Sequence, residues 1–387
     1  MTALRLALLV HSTNPRGGVA HALALGEALN DLGHDATVFA PDAHDRGFGR
    51  EVRCRTQTFP VPASGGDLLQ LVRDRVRGYV DFFERCFEPF DVYHAHDGIS
   101  ANALATLARR GRVEQFVRTV HHLDDFADAR LSRLQDRSVL GAQELICVSR
   151  WWAEQVRRRY GRHSAVIANG VDLARFSPTV ASRDAELREK LRLGKGPVFL
   201  SVGGIEPRKN SIRMLRAFRE FHRGHPSAQL VVAGGASLLD HSWFREEFEA
   251  ELSRLSLPTR RAVLNVGVVS DGDVPPLMRN ADALLFPSLK EGFGLVVLEA
   301  MACGRPVVLS HIAPFTEFYA AGECLWCDPT NVESIATAMG KAIDPGETFR
   351  QRSLSVAKRF PWSAAAMSHQ RLYRSLVRGV SHARNAV

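Results

Sequence analysis

No apolar run in this chain approaches the length of a transmembrane helix, and no glycine cluster spells the G-x-G-x-x-G of a dinucleotide-binding turn. Leu4 to Val10 is apolar but too short and too poorly flanked for a secretory signal, so it reads as a first strand. Six cysteines in 387 residues make no disulfide scaffold, which points to a reducing cytoplasm. Cys324 and Cys327 form a lone C-x-x-C in a strand-like run, where positions three apart face opposite sides. With no second pair beside them, they argue against a metal or redox site. The arginines are spread along helices with no aromatic-basic module, so nucleic acid is not the partner expected from a net charge of +8. An anionic ligand or an anionic membrane surface is. The one D-x-D, Asp271-Gly-Asp273, precedes the helical run Val274 to Arg279 and reads as a helix cap, so no metal site is expected there.

What is present is organised around residues 283–310. Ala283 to Phe286 reads as a buried strand, followed by a polar turn, a helix ended by Gly304 and a second apolar strand within Arg305 to Ser310. This is a βαβ unit, and its ligand crevice lies at the carboxyl edge of the strands. Gly292 and Gly294 let backbone approach a ligand, and the helix starting near Gly294 points unpaired N–H groups at it. Such a terminus attracts a phosphate. Glu291 and Glu299 bracket the anion site, and a carboxylate there makes sense as an acceptor for sugar hydroxyls. With a rise of about 1.5 Å per residue, Glu299 stands roughly 7–8 Å along the helix from Gly294, room for a diphosphate with a ribose beside it.

The remainder reads as alternating strands and helices. Gly17-Gly18 ends a turn before the helix Val19 to Leu32, and could cradle a phosphate or sugar. Leu68 to Phe87 is an amphipathic helix carrying Arg73, Arg75 and Arg77, suited to a solvated face or to an anionic membrane. His94, His96 and Asp97 suggest a metal site only if the strand persists to put both histidines on one face; they read instead as a strand end with polar residues at the cleft. Ser177 to Gly196, polar and closed by Gly and Pro, reads as a connection. A second domain starts at Pro197, and its first loop carries the cations Arg208 and Lys209, which suit a diphosphate. At 387 residues two domains are expected: 1–178, 179–361, and a final amphipathic helix within 362–387.

The run Glu291-Gly-Phe-Gly-Leu-x-x-x-Glu299-Ala-Met-Ala-x-Gly-x-Pro-Val resembles the signature of retaining GT-B glycosyltransferases, family 4, also called glycosyl transferases group 1. The resemblance implies an α/β fold of two Rossmann-like domains facing a cleft, the last helix crossing back to the first domain. It implies that Glu291 lies by the transferred sugar, that Glu299 holds the ribose, and that Gly292, Phe293, Gly294 and Leu295 contact the donor. Thr119-Val-His121 matches the family's Thr-x-His, which places His121 by the sugar and acceptor; Gly17 and Gly18 match its donor-facing Gly-Gly loop. Gly267 and Val268 fall where relatives contact the nucleobase. Asn169-Gly-Val-Asp172 resembles a hinge element. Family members carry Gly-Arg and then Lys in the diphosphate loop; here Gly204 stands in place of that arginine, so Lys209 transfers by position and Arg208 is the cation left to compensate. Ile312-Ala-Pro-Phe-Thr-Glu317 departs from the family's Gly-Gly-x-x-Glu.

The resulting expectation is transfer of a hexosyl group from a nucleotide-diphosphate sugar to an acceptor hydroxyl on a glycan, lipid or small molecule. It would proceed by front-face attack with no metal and no cofactor beyond the donor, in the cytoplasm, with peripheral contact to the inner face of a membrane as an option. A nucleotide-sugar epimerase on the same fold and a non-catalytic nucleotide-sugar binding protein are the rival readings. Product analysis with and without acceptor separates the first, and donor turnover the second. An NAD-dependent enzyme lacks its glycine fingerprint.

Overall fold

The computed structural model describes residues 2–14, 16–63, 67–85, 88–235 and 241–384. The chain forms two compact units, Met1–Gly170 with Trp362–Val387, and Val171–Pro361. The first division falls at Gly170, short of the 178 read from the sequence, because Val171 N–H donates to the Phe360 carbonyl at 2.8 Å and so belongs with the second unit.

The first unit is built on a seven-stranded parallel sheet. Its strands are β1 (Arg5–Leu9), β2 (Asp35–Asp42), β3 (Arg55–Pro60), β4 (Val92–Ala95), β5 (Phe116–Val120), β6 (Glu144–Cys147) and β7 (Ala165–Val166), in the order β3-β2-β1-β4-β5-β6-β7. The reversal between β1 and β4 is the switch point at which open α/β sheets bind ligands. β1 is buried from Leu6 onward and β5 throughout, as expected of strands covered by helices on both faces. The last helix, Trp362–Arg384, supplies Ala365, Ala366 and Tyr373 to the core formed by Leu6, Leu8, Leu23 and Val38. The helix expected to reach Phe87 is Leu68–Arg85; Cys86 and Phe87 lie outside the described residues.

In the second unit the strands β8 (Val198–Val202), β9 (Gln229–Ala233), β10 (Val263–Gly267), β11 (Ala283–Phe286), β12 (Val307–Ser310) and β13 (Leu325–Cys327) run parallel in the order β10-β9-β8-β11-β12-β13. The switch point here lies between β8 and β11. Residues 177–196 are not a plain connection. They contain the helix Ser182–Lys190, held by a buried two-pronged pair between Asp184 and Arg279, both contacts 2.7 Å. Cys324 and Cys327 are buried free thiols; burial pushes the Cys327 thiol up to about 12, so neither reactivity nor metal binding is favoured. Among the described residues no helix is long and apolar enough to cross a membrane.

Candidate functional site

At the switch point of the second unit, two loops meet through charge. The loop after β8 ends in a single 3₁₀ turn, Pro207–Lys209, and the loop after β11 carries Glu291. One oxygen of that carboxylate, Oε1, accepts from Arg208 Nη1 at 2.6 Å and from Lys209 Nζ at 2.7 Å. Glu206 Oε2 lies 3.6 Å from Arg208 Nη2, so two carboxylates balance two cations. The sequence reading kept Glu291 for the sugar and the cations for the diphosphate; the geometry joins all three. The Lys209 side chain is only 11 % exposed and Glu291 8 %. Burial pulls the ammonium below the ordinary lysine range, while Glu291 opposes that and supports the charge. The Lys209 ammonium also sits 4.2 Å from the centroid of the Phe286 ring, a cation–π contact. An ammonium has three donors and a guanidinium five, so Glu291 fixes both heads while leaving donors for an anion.

Backbone shapes the rest of this edge. Gly203 and Gly204 donate to the Ala233 carbonyl at 2.9 and 3.1 Å, and Gly234 donates to the Gly267 carbonyl at 2.7 Å. A Cβ on Gly234, whose φ is +129°, would run into the Gly204 backbone, so the ends of β8, β9 and β10 form a ledge free of side chains. Gly204 itself has φ +80°, a conformation in which the family's arginine would be strained. At the ledge's far end the Val268 side chain is 80 % exposed, an apolar surface next to Gly267. Gly294 caps the helix Leu295–Ala302 at φ +85°, and a Cβ there would meet Phe315 Cε1 at 3.0 Å. Among the described residues no side chain caps that helix, which leaves its first N–H groups for a ligand. Gly292 and Phe293 are buried in the turn, Leu295 opens the helix, and Glu299 is half-buried one turn further on.

Asp271 and Asp273 form a 3₁₀ turn, and Asp273 stands at the N-cap position of the helix Val274–Asn280, but its side chain makes no cap bond. Arg175 Nη2 pairs with Asp271 at 2.8 Å, while Arg183 Nε and Ser270 Oγ donate to Asp273 at 2.6 and 2.7 Å. The arginine bond holds the Asp273 carboxyl below the usual carboxylate range. The pair is committed to structure.

At the carboxyl edge of the first unit, the Gly-Gly turn meets His121. A Cβ on Gly18 would lie 3.2 Å from His121 Cδ2, so Gly18 lets the imidazole approach the turn, and Gly17 opens the helix Gly17–Asp31 at φ +34°. His94 and His96 are buried. His94 is bonded at both nitrogens, to Tyr373 Oη of the last helix at 2.7 Å and to Thr119 Oγ1 at 2.8 Å. Asp97 instead caps the helix Gly98–Arg109, accepting from Ile99 and Ser100 N–H at 2.8 Å each. Sequence reasoning passed over His21, which lies on the first turn of the helix behind Gly18 and has rings of His96 and His121 at 5.1 and 4.8 Å. Its place three residues past the Gly-Gly turn was the available signal. Burial pulls all these imidazoles down, His121 to about 3, so they are neutral at pH 7.

Comparison with known proteins also divides the chain in two, between residues 175 and 183. The family described as Glycosyltransferase Family 4 matches residues 15–175, and Glycosyl transferases group 1 matches residues 183–354. A glycogen synthase of Mycobacterium tuberculosis is 29 % identical over 314 residues, covering 76 % of this chain and 71 % of its own. A phosphatidyl-myo-inositol mannosyltransferase of the same organism is 26 % identical over 381 residues, covering 94 % of each. Among solved structures, Anabaena HepE in complex with UDP and glucose superposes with a TM-score of 0.78 at 20 % identity, over 96 % of this chain and 100 % of that one. A sucrose-phosphate synthase from Thermosynechococcus elongatus gives 0.76 at 22 % identity, over 97 % and 100 %. These structural likenesses establish the fold.

Proposed function

The chain belongs to the group 1, family 4 glycosyltransferases, with their GT-B fold, and from that membership we propose that it moves a hexosyl group from a nucleotide-diphosphate sugar to an acceptor hydroxyl with retention of configuration. The observation that carries the proposal is the convergence of Arg208, Lys209 and Glu291 at the β8–β11 switch point, beside an uncapped helix terminus. Fixed cations and a terminus worth about half a positive charge suit a departing diphosphate. The UDP and glucose held by the HepE neighbour support the donor class. The relatives' names, a glycogen synthase and an inositol-lipid mannosyltransferase, support a polyol hydroxyl as acceptor.

In this reading the bond from the sugar's anomeric carbon to the phosphate oxygen breaks, and the diphosphate leaves with the electron pair. The acceptor oxygen attacks the same face and its proton passes to the leaving phosphate. Lys209 and Arg208 offset the charge that develops; Glu291 holds both cations in place and orients the sugar; Glu299 binds the ribose diol; His121 orients the sugar and acceptor. The Val268 side chain offers a face to the base. No divalent ion is required, since the protein itself supplies the cations and the acidic pair Asp271 and Asp273 is held by Arg175 and Arg183.

A thermal-shift panel of nucleotide-sugars identifies the donor, and turnover in Lys209→Ala then tests the assignment. Loss of about 2–4 kcal/mol of transition-state stabilisation is expected, by comparison with removal of one preorganised donor. Unchanged turnover in a folded variant contradicts it.

A further inference from the structure

We propose that His21, His96 and His121 form a three-imidazole site for a divalent transition metal of the zinc class, and that filling it withdraws His121 from the sugar. The second half rests on the sugar-orienting role given to His121 above; the first half stands on geometry alone.

Three separate elements deliver the ligands: the helix behind the Gly-Gly turn, the end of β4 and the end of β5. One ligand nitrogen from each lies within 4.8 Å of the others. Tetrahedral zinc, with Zn–N near 2.0–2.1 Å, needs nitrogens about 3.3 Å apart, so closure requires movements of roughly 1.5 Å, within reach of side-chain rotation. His21 Nε2, His121 Nε2 and both nitrogens of His96 are buried with no hydrogen-bond partner among the described residues. Buried polar atoms are ordinarily satisfied, so four orphans from three adjoining rings mark a place that something fills.

The surroundings favour metal over simple ring packing. Asn169 Oδ1 stands 2.9 Å from His21 Nδ1. An amide oxygen only accepts, so Nδ1 carries the hydrogen and Nε2 keeps its lone pair, the arrangement that orients metal-binding histidines. His94, packed against His96 at 4.1 Å between ring centroids, has both nitrogens bonded and is thereby excluded. Neutral imidazoles are the ligand form, and burial keeps them neutral. Three nitrogens with no carboxylate or thiolate in the set select zinc, nickel, cobalt or copper over magnesium and calcium. Three protein ligands leave a fourth position open. His121 is the one member of the three that is not fully buried. The orphaned nitrogen of His121 is Nε2, and a metal bound there fixes the ring on which the sugar-orienting role depends.

The test uses the full-length chain, untagged and stripped of metal, titrated with Zn²⁺ by calorimetry and with Co²⁺ by visible absorption. One equivalent of Zn²⁺ is expected to bind, and Co²⁺ to give the visible bands of a tetrahedral nitrogen site without near-ultraviolet thiolate bands. His96→Asn and His21→Asn should each weaken Zn²⁺ binding by about 100-fold or more, and Asn169→Ala, outside the ligand set, by about 10-fold or more. His163→Gln, on the surface, should change nothing. If a histidine variant fails to fold, the wild-type Co²⁺ spectrum and Asn169→Ala decide. Sugar transfer should fall in step with Zn²⁺ occupancy and return with EDTA. No binding below about 1 mM Zn²⁺, or binding unchanged in Asn169→Ala and both histidine variants, overturns the site. Full occupancy with undiminished transfer overturns the withdrawal of His121, and it alone.

Discussion

Glu291 Oε1 takes hydrogen bonds from two cations lying 82 and 83 residues earlier in the chain. The sequence carried both ends of this contact, because Gly-flanked glutamate and Arg-Lys each sit in a strand-to-helix turn. It did not carry the contact, since strand order decides which turns meet. Here β8 and β11 are neighbours, so their loops are too. The consequence is that Glu291→Gln should weaken nucleoside diphosphate binding as well as sugar transfer, because the cations lose their anchor. Glu299 differs: it sits within the helix, and in the proposed role of ribose acceptor it would act on the nucleotide alone. Glu299→Ala should weaken nucleoside diphosphate binding by about 1.5–3 kcal/mol in calorimetry, the range for a hydrogen bond to a charged group. Unchanged affinity in the folded variant removes that assignment. His21 was the residue least visible in sequence, since its meaning depends on Asn169, 148 residues away.

Among the elements, the β8 loop is fixed by one residue more than by any other. Asn210 holds φ +59°, and its Nδ2 donates to the carbonyls of Pro287 and Pro329 at 3.0 and 2.6 Å. It thus ties the cation-bearing loop to those following β11 and β13. Asn210→Ala loses both bonds and places a Cβ in a left-handed conformation that asparagine tolerates better. A cost of about 2–4 kcal/mol is expected in urea unfolding, from two hydrogen bonds and the backbone penalty. A cost under about 0.5 kcal/mol, the level of an ordinary surface change, contradicts the loop's dependence on it. The βαβ units were legible because buried parallel strands read as short apolar runs between helices. The helix Ser182–Lys190 was not, because a polar surface helix carries little periodicity and its anchor, Asp184 with Arg279, is again a distant pair.

Over the whole molecule, the last helix joins the first unit and closes Tyr373 onto His94, so that unit buries His21, His94, His96 and His369 as neutral rings. Burial lowers each below its ordinary range, His369 to about 4. The unfolded chain, with histidines near 6.5, therefore binds more protons than the native one below that pH. Stability is full above about pH 6.5 and falls on acidification, by about 1.4 kcal/mol per histidine for each pH unit until the folded value is reached. Urea unfolding at pH 7 and pH 5.5 reads this directly; equal stabilities contradict the neutral cluster. The account as a whole turns on retaining, metal-independent transfer of a hexose from a nucleotide-diphosphate sugar. Proton NMR of the anomeric region, followed during turnover of the identified donor and acceptor in excess EDTA, tests it most directly. The account predicts undiminished release of nucleoside diphosphate and a product with the donor's anomeric configuration. An inverted product, or turnover abolished by EDTA and restored by magnesium or manganese, contradicts it.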